Sequence, residues 1–85
     1  MTREERFKDA QARVHSLKSR PSNARLLELY GLFKQATAGD VSGPRPGLLD
    51  PKGRAKYDAW AGRKGLAREA AMQAYVDLVD LLLRS

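Results

Sequence analysis

Apolar residues recur at intervals of three and four along most of this 85-residue chain, which is the spacing that gives a helix one buried face. No segment makes a convincing strand. The pattern therefore predicts an all-α fold of four helices. The expected buried stripes are Phe7, Ala10, Val14 and Leu17 in the first helix, Leu26, Leu29, Tyr30, Phe33 and Thr37 in the second, and Ala71, Met72, Tyr75, Val79 and Leu82 in the fourth.

Capping residues indicate where the first two helices begin and end. The segment Thr2-Arg3-Glu4-Glu5 has the form of a capping box, which satisfies two free amides at a helix start. The first helix should end at Arg20, because the residue before Pro21 avoids the helical conformation. Ser22 is the expected cap of the second helix, and Gly39 should end that helix in a left-handed conformation.

Segment 39–51 contains three glycines and three prolines, so it predicts a loop of about a dozen residues. Asp50-Pro51 then indicates the start of the third helix, with an acidic cap followed by proline at the first helical position. This helix should be short and end near Gly62 or Gly65. The fourth should run from about Ala67 to the end of the chain, without a polar cap at its start.

The net charge of +6 favours anionic partners: nucleic acid, a phospholipid surface or a phosphorylated small molecule. The basic residues are scattered, and no block of five occurs, which weakens the case for a nucleic-acid-binding tail. A chain of 85 residues is expected to form one domain, 1–85, with a modest core. A ligand should therefore lie in a surface groove or between helices.

Several classes of function find no support in the sequence. Cysteine is absent, which excludes disulfides and thiolate metal sites, and the single histidine, His15, has no partner motif for zinc. No metal site and no cofactor are therefore predicted. No signal sequence opens the chain, and no apolar run approaches the roughly 18 residues of a membrane span, so a cytoplasmic protein without stable membrane insertion is expected. No catalytic motif appears, so no catalytic residue is assigned and no enzyme is predicted.

The most informative pattern combines aromatic rings with lysines. Tyr30, Phe33 and Lys34 share one face of the second predicted helix, and Lys52 and Lys56 share one face of the third. A ring beside an ammonium group on each of two helices suits a ligand that has both a flat base and phosphates. The simpler alternatives, solvated lysines and aromatic rings buried in the core, stay open on this pattern alone.

Three other features have simpler interpretations. Trp60 is surrounded by alanines and is predicted to lie in the core. His15, next to Val14, is interpreted as a solvated or hydrogen-bonded histidine. A helix cannot bury the three consecutive leucines Leu81–Leu83 on one narrow stripe, so one of them should be exposed or touch a second molecule.

Over nearly its whole length the chain resembles the acyl-CoA-binding protein family. The pattern runs Tyr30-x-x-Phe33-Lys34-Gln35-Ala36-Thr37-x-Gly39-Asp40, then Arg45-Pro46-Gly47, then Lys52-Gly53-x-Ala55-Lys56-x-x-Ala59-Trp60, and resumes at Ala71-Met72-Gln73-Ala74-Tyr75-Val76. This resemblance implies an up-down-down-up four-helix bundle. It also implies a ligand, the CoA ester of a medium- or long-chain fatty acid.

The resemblance further implies residue roles. Tyr30 would stack near the adenine, and Lys34 and Lys56 would meet the phosphates, chiefly the 3′-phosphate on the ribose. Tyr75 would close the CoA site from the last helix. The acyl chain is placed near Leu26 and Leu27. The implied ligand site is completed by His15, Gly31, Leu32, Phe33 and Lys52, of which His15 and Phe33 stand where the family often has lysine and tyrosine.

The sequence therefore predicts a monomeric, non-catalytic carrier of fatty acyl-CoA with no nucleic-acid partner. One alternative is a small basic helical module that binds nucleic acid or an anionic membrane, supported by the charge alone. Another is a protein-interaction domain that uses Leu81–Leu83. A preference for CoA esters would distinguish the carrier from both.

Overall fold

The computed structural model describes all 85 residues as four α-helices joined by loops, without a strand. Helix α1 spans Arg3–Arg13, α2 spans Asn23–Ala38, α3 spans Pro51–Ala61 and α4 spans Arg68–Arg84. A short 3-10 turn, Val14–Ser16, follows α1. The predicted all-α fold of four helices is confirmed.

The predicted caps are present. The Thr2 hydroxyl accepts from the Glu5 amide at 3.1 Å, and the Thr2 amide donates to the Glu5 carboxylate at 2.8 Å, which completes the capping box. Ser22 caps α2 and Asp50 caps α3 through their side chains. Ala67 precedes α4 without a side-chain cap, as expected.

The prediction that the first helix reaches Arg20 is wrong, because α1 ends at Arg13. The Ser16 hydroxyl donates to the Arg13 carbonyl at 2.6 Å, and Leu17 has an extended backbone. A serine that bonds to a nearby carbonyl competes with the helical pattern, and a 3-10 turn commonly tightens such an end. The extended segment after this turn, 17–22, leads to the start of α2.

Two pairs of helices run parallel. Phe7 meets Tyr75 and Arg13 pairs with Asp80, so α1 and α4 run in the same direction. The contacts of Gly31 with Ala59 and of Lys34 with Trp60 show that α2 and α3 do likewise. Because the buried Gln35 bonds to Leu66 just before α4, α2 and α4 are antiparallel. These directions confirm the up-down-down-up order.

The core lies between α1, α2 and α4. Its buried apolar residues are Phe7, Ala10, Leu29, Leu32, Ala36, Ala71, Tyr75, Val76, Leu78 and Val79. Helix α3 contributes no buried residue. The prediction that Trp60 lies in the core is therefore wrong, since its side chain is only half-buried.

Helix α3 packs on the outside of α2, and the backbones of the two helices lie close together at Gly31 and Ala59. A Cβ atom on Gly31 would overlap the Ala59 carbonyl, so only glycine permits this approach. The Trp60 indole donates to the Gly39 carbonyl at 2.7 Å, and the Tyr57 hydroxyl donates to the Gly43 carbonyl at 2.9 Å. These bonds fasten the 39–50 loop, which returns the chain to the start of α3. No helix of the structure has the length and apolar character needed to cross a membrane.

Candidate functional site

A groove of about 500 Å³ opens where α2, α3 and the 17–22 segment meet. The parallel course of α2 and α3 brings the first halves of both helices to this place. The lining residues are Arg20, Asn23, Leu26, Leu27, Tyr30, Pro51, Lys52, Ala55 and Lys56.

Five residues predicted for the ligand site meet in this groove: Leu26, Leu27, Tyr30, Lys52 and Lys56. Their spacing explains the meeting, because positions three and four apart share one helix face. The Lys56 ammonium lies 5.6 Å from the centroid of the Tyr30 ring. The groove thus combines an aromatic ring, cations and aliphatic side chains within one surface.

The groove is positively charged and has no carboxylate among its lining side chains. Arg20 approaches from the segment before α2, while Lys52 and Lys56 lie on α3. None of these three cations forms an ion pair within the protein. Unpaired charges of one sign around a concave surface attract an anion, so the groove suits a phosphorylated ligand with an apolar part.

Lys34 does not line the groove. Its half-buried side chain holds the ammonium 4.7 Å from the centroid of the Trp60 ring, one turn beyond Tyr30. Lys34 and Lys56 therefore each rest against a different ring.

The three residues between Tyr30 and Lys34, which the resemblance assigns to the ligand site, do not line this groove. Their contact with the ligand stays a prediction. Leu32 is a core residue, and Gly31 is covered by the backbone of α3. Phe33 stacks against Phe7 of α1 with ring centroids 6.1 Å apart. Helical geometry is the reason, since consecutive residues point about 100° apart and cannot all face one groove.

Tyr75 and His15 also lie outside the groove lining. The Tyr75 ring is only 6% exposed and packs edge-on against Phe7 at 5.1 Å, and burial raises the pKa of its hydroxyl. The Tyr75 hydroxyl makes no hydrogen bond within the protein, and its oxygen remains in contact with solvent. His15 is exposed on the 3-10 turn, in accord with its interpretation as a solvated histidine.

Sequence reasoning missed Arg20 and Asn23 as groove residues. The Arg20 guanidinium donates to the Asn23 side-chain oxygen at 3.1 Å, and both side chains are exposed. Had the early end of α1 been recognised, Arg20 would have been placed in a loop beside the start of α2. The serine at position 16 was the available signal, because serine favours helix ends and turns.

A polar cluster around the buried Gln35 fixes the far end of α2. The Gln35 amide donates to Asp40 and to the Leu66 carbonyl, both at 2.8 Å, and Gln35 is 1% exposed. The same Asp40 oxygen accepts from the Gly65 amide at 2.8 Å. Bonds from Gly65 and Gln35 hold the pKa of the Asp40 carboxyl below its ordinary value. This cluster joins the beginning of the long loop to the turn before α4.

Residues 4–79 match the family model described as acyl CoA binding protein. The acyl-CoA-binding protein homolog of Manduca sexta is 52% identical over an alignment that covers 100% of this chain and 96% of the relative. Homolog 1 of Caenorhabditis elegans is 53% identical over 91% of this chain and 90% of the relative.

Solved structures agree with this sequence relationship. The crystal structure of acyl-CoA-binding protein 2 of Oryza sativa superposes with a TM-score of 0.92 at 40% identity, covering 96% of this chain and 89% of the other. The structure from Moniliophthora perniciosa gives a TM-score of 0.89 at 40% identity, with 99% and 82% covered.

Proposed function

The chain belongs to the acyl-CoA-binding protein family, and we propose that it is a non-catalytic carrier of medium- and long-chain fatty acyl-CoA. The observation that carries the proposal is the groove in which Tyr30, two lysines and two leucines line one surface. A CoA ester has the matching parts: an adenine ring, phosphates and an alkyl chain.

The polar part of the groove would hold the nucleotide. The half-buried Tyr30 ring offers a surface on which the adenine can stack. Lys56 lies over the same ring, so its ammonium would be close to phosphates attached to the bound nucleotide. Lys52 and Arg20 would bind the remaining negative charge through charge-assisted hydrogen bonds.

The apolar part would cover the start of the acyl chain. Leu26, Leu27 and Ala55 line the groove beside the cations. Each methylene withdrawn from water favours binding by roughly 0.8 kcal/mol. The aliphatic surface therefore adds affinity only when the alkyl chain is present, while the cations act on the CoA moiety of any ester.

Carriage requires no bond to be made or broken, so we assign these residues to binding and none to catalysis. All the groove residues come from one copy of the chain, so a monomer suffices for the proposed binding. We further propose a cytoplasmic location and no nucleic-acid partner.

Calorimetric titration with a long-chain acyl-CoA, free CoA and the matching free fatty acid tests this function. The ester should bind far more tightly than either part, because it alone engages both the cations and the leucines. Equal affinity for the fatty acid and the ester would refute the proposal, since the basic side of the groove would then contribute nothing.

A further inference from the structure

Two adjacent leucines on the long loop are exposed to solvent. Leu48 is 83% exposed and Leu49 is 100% exposed. They occupy a turn that is closed by the Asp50 amide donating to the Gly47 carbonyl at 3.0 Å. A Cβ atom on Gly47 would meet nothing within 4 Å, so the turn projects from the body of the protein. We call the segment 47–50 the leucine tip.

The surroundings of the leucine tip are basic. From Arg45 to Lys56 the sequence has four cations and one carboxylate. The Asp50 carboxylate is engaged at the start of α3, where it accepts from the Gly53 amide at 3.0 Å. Arg45 pairs with Asp58 at 2.7 Å, which leaves Lys52, Arg54 and Lys56 without an ion-pair partner.

We propose that the leucine tip docks reversibly on an anionic lipid bilayer. Its two leucines would enter the interface between headgroups and acyl chains, while Lys52 and Lys56 would contact acidic headgroups. An apolar projection beside unpaired cations has the chemistry of interfacial binding. Docking of this kind differs from spanning, for which no helix is suited.

A bilayer fits this surface better than a protein partner does. A stable protein interface uses about 800 Å² from each partner, with a well-packed apolar centre. Two side chains on a projecting turn supply far less contact, and the neighbouring exposed residues Lys52 and Lys56 are charged. A fluid bilayer requires no complementary shape, so two leucines and a few cations are enough for weak binding.

Docking would also orient the groove. Pro51 and Lys52 follow the leucine tip directly and line the groove. A tip seated in the bilayer would place the groove entrance at the membrane surface. Resting on the proposed function, this geometry would let acyl-CoA pass between bilayer and protein over a short path.

Vesicle sedimentation without any acyl-CoA tests the proposal. Wild-type protein should bind phosphatidylcholine vesicles that contain phosphatidylserine and bind pure phosphatidylcholine vesicles much less. The double variant Leu48→Ser, Leu49→Ser should lower the partition coefficient on anionic vesicles by at least about tenfold, because two apolar side chains no longer enter the interface. The matched control is Leu81→Ser, which alters a leucine that is 44% exposed on α4 and should bind as wild type.

Two outcomes would overturn the proposal. The first is equal vesicle binding by the double variant and wild type; if that variant also binds acyl-CoA more weakly in lipid-free solution, the leucines cover the ligand instead. The second is a lipid-free dimer, detected by sedimentation velocity, that the double variant abolishes; the leucines would then contact a second copy. Failure of the carrier function would appear separately, in the calorimetric titration of wild type.

Discussion

The Lys34 ammonium lies over the Trp60 ring, 4.7 Å from its centroid, and the same indole donates to the Gly39 carbonyl. Trp60 thus joins α2, α3 and the long loop while it remains half exposed. We expect Trp60→Phe to lower the free energy of unfolding by about 1 kcal/mol, because one hydrogen bond is lost and most of the ring is kept. Trp60→Ala should cost more, yet less than the roughly 3–5 kcal/mol of a fully buried aromatic residue. Urea unfolding measures both free energies. If Trp60→Ala loses as much unfolding free energy as a fully buried aromatic residue does, the ring is part of the core.

Replacing Gly31 with alanine should push α3 away from α2. The new methyl group overlaps the Ala59 carbonyl, and a backbone atom cannot move aside alone. We expect a loss of about 1–3 kcal/mol in unfolding free energy and weaker acyl-CoA binding, since the groove spans both helices. Gly62→Ala is the control, because its φ of −65° suits alanine and its Cβ would lie 3.4 Å from the nearest atom. Equal stability of the two variants would contradict the close approach of the helices.

The contact of each lysine with the 3′-phosphate can be measured by changing both partners. Lys56→Ala should weaken acyl-CoA binding roughly ten- to a hundredfold, the value of one charged hydrogen bond. With a 3′-dephospho-CoA ester the same substitution should matter little, because its partner is gone. If the loss of affinity from Lys56→Ala and the loss from removing the 3′-phosphate simply add, Lys56 and this phosphate do not interact.

The same pair of ligands tests whether the Lys34 ammonium leaves the Trp60 ring to bind the phosphate. We expect Lys34→Ala to weaken binding of acyl-CoA and to have little effect on binding of the 3′-dephospho-CoA ester. Lys8→Ala, an exposed lysine on α1, is the control and should leave binding of both esters unchanged.

Arg20→Gln should reduce acyl-CoA affinity by about tenfold without a change in melting temperature. The guanidinium lines the groove, has no acidic partner and bonds only to the neutral Asn23 side chain. Its loss removes one charge-assisted contact with the ligand. Arg3→Gln, an exposed arginine at the start of α1, is the matched control. If both variants bind like wild type in calorimetry, Arg20 does not contact the ligand.

The free energy of unfolding should fall in acid, partly because the Asp40 carboxylate becomes protonated. Bonds from the Gly65 amide and from Gln35 hold the pKa of Asp40 below its unfolded-state value. A lowered pKa contributes stability at pH values above the unfolded pKa, which for aspartate is about 3.9. That contribution is lost as the pH falls through the folded pKa. Asp40→Asn should therefore be less stable at neutral pH and lose less of its stability in acid.

Melting temperatures measured from neutral pH down to strong acid check this dependence. Some acid sensitivity should persist in Asp40→Asn, because the pKa values of Glu5 and Asp58 are also lowered by their partners, Thr2 and Arg45. Curves of the same shape for Asp40→Asn and wild type would contradict the role of Asp40.

Helix starts were predictable from sequence because their causes are local. Thr2, Ser22 and Asp50 each bond to an amide three residues ahead, so a short pattern contains all the information. The end of α1 depended on the Ser16 side chain and was missed. Proline at position 21 limits how far a helix can extend but does not require it to extend that far.

The groove was only partly predictable. Helical spacing places Tyr30, Lys52 and Lys56 on suitable faces, and the structure brings them together. Spacing alone does not show which neighbour covers a face. Trp60 stays half exposed because α3 packs against α2 outside the core, and Tyr75 is buried because Phe7 packs against it. Both outcomes depend on contacts between residues far apart in the sequence.

Helix α3 forms one wall of the groove without contributing a buried side chain. Substitutions at its exposed positions remove nothing from the core, so they carry little folding penalty. Natural selection would then act on substitutions in this wall mainly through their effect on ligand binding. The architecture therefore leaves room for ligand preference to diverge during evolution while the body formed by α1, α2 and α4 stays constant. The limit to that freedom is the contact between Gly31 and Ala59, where the wall meets the body.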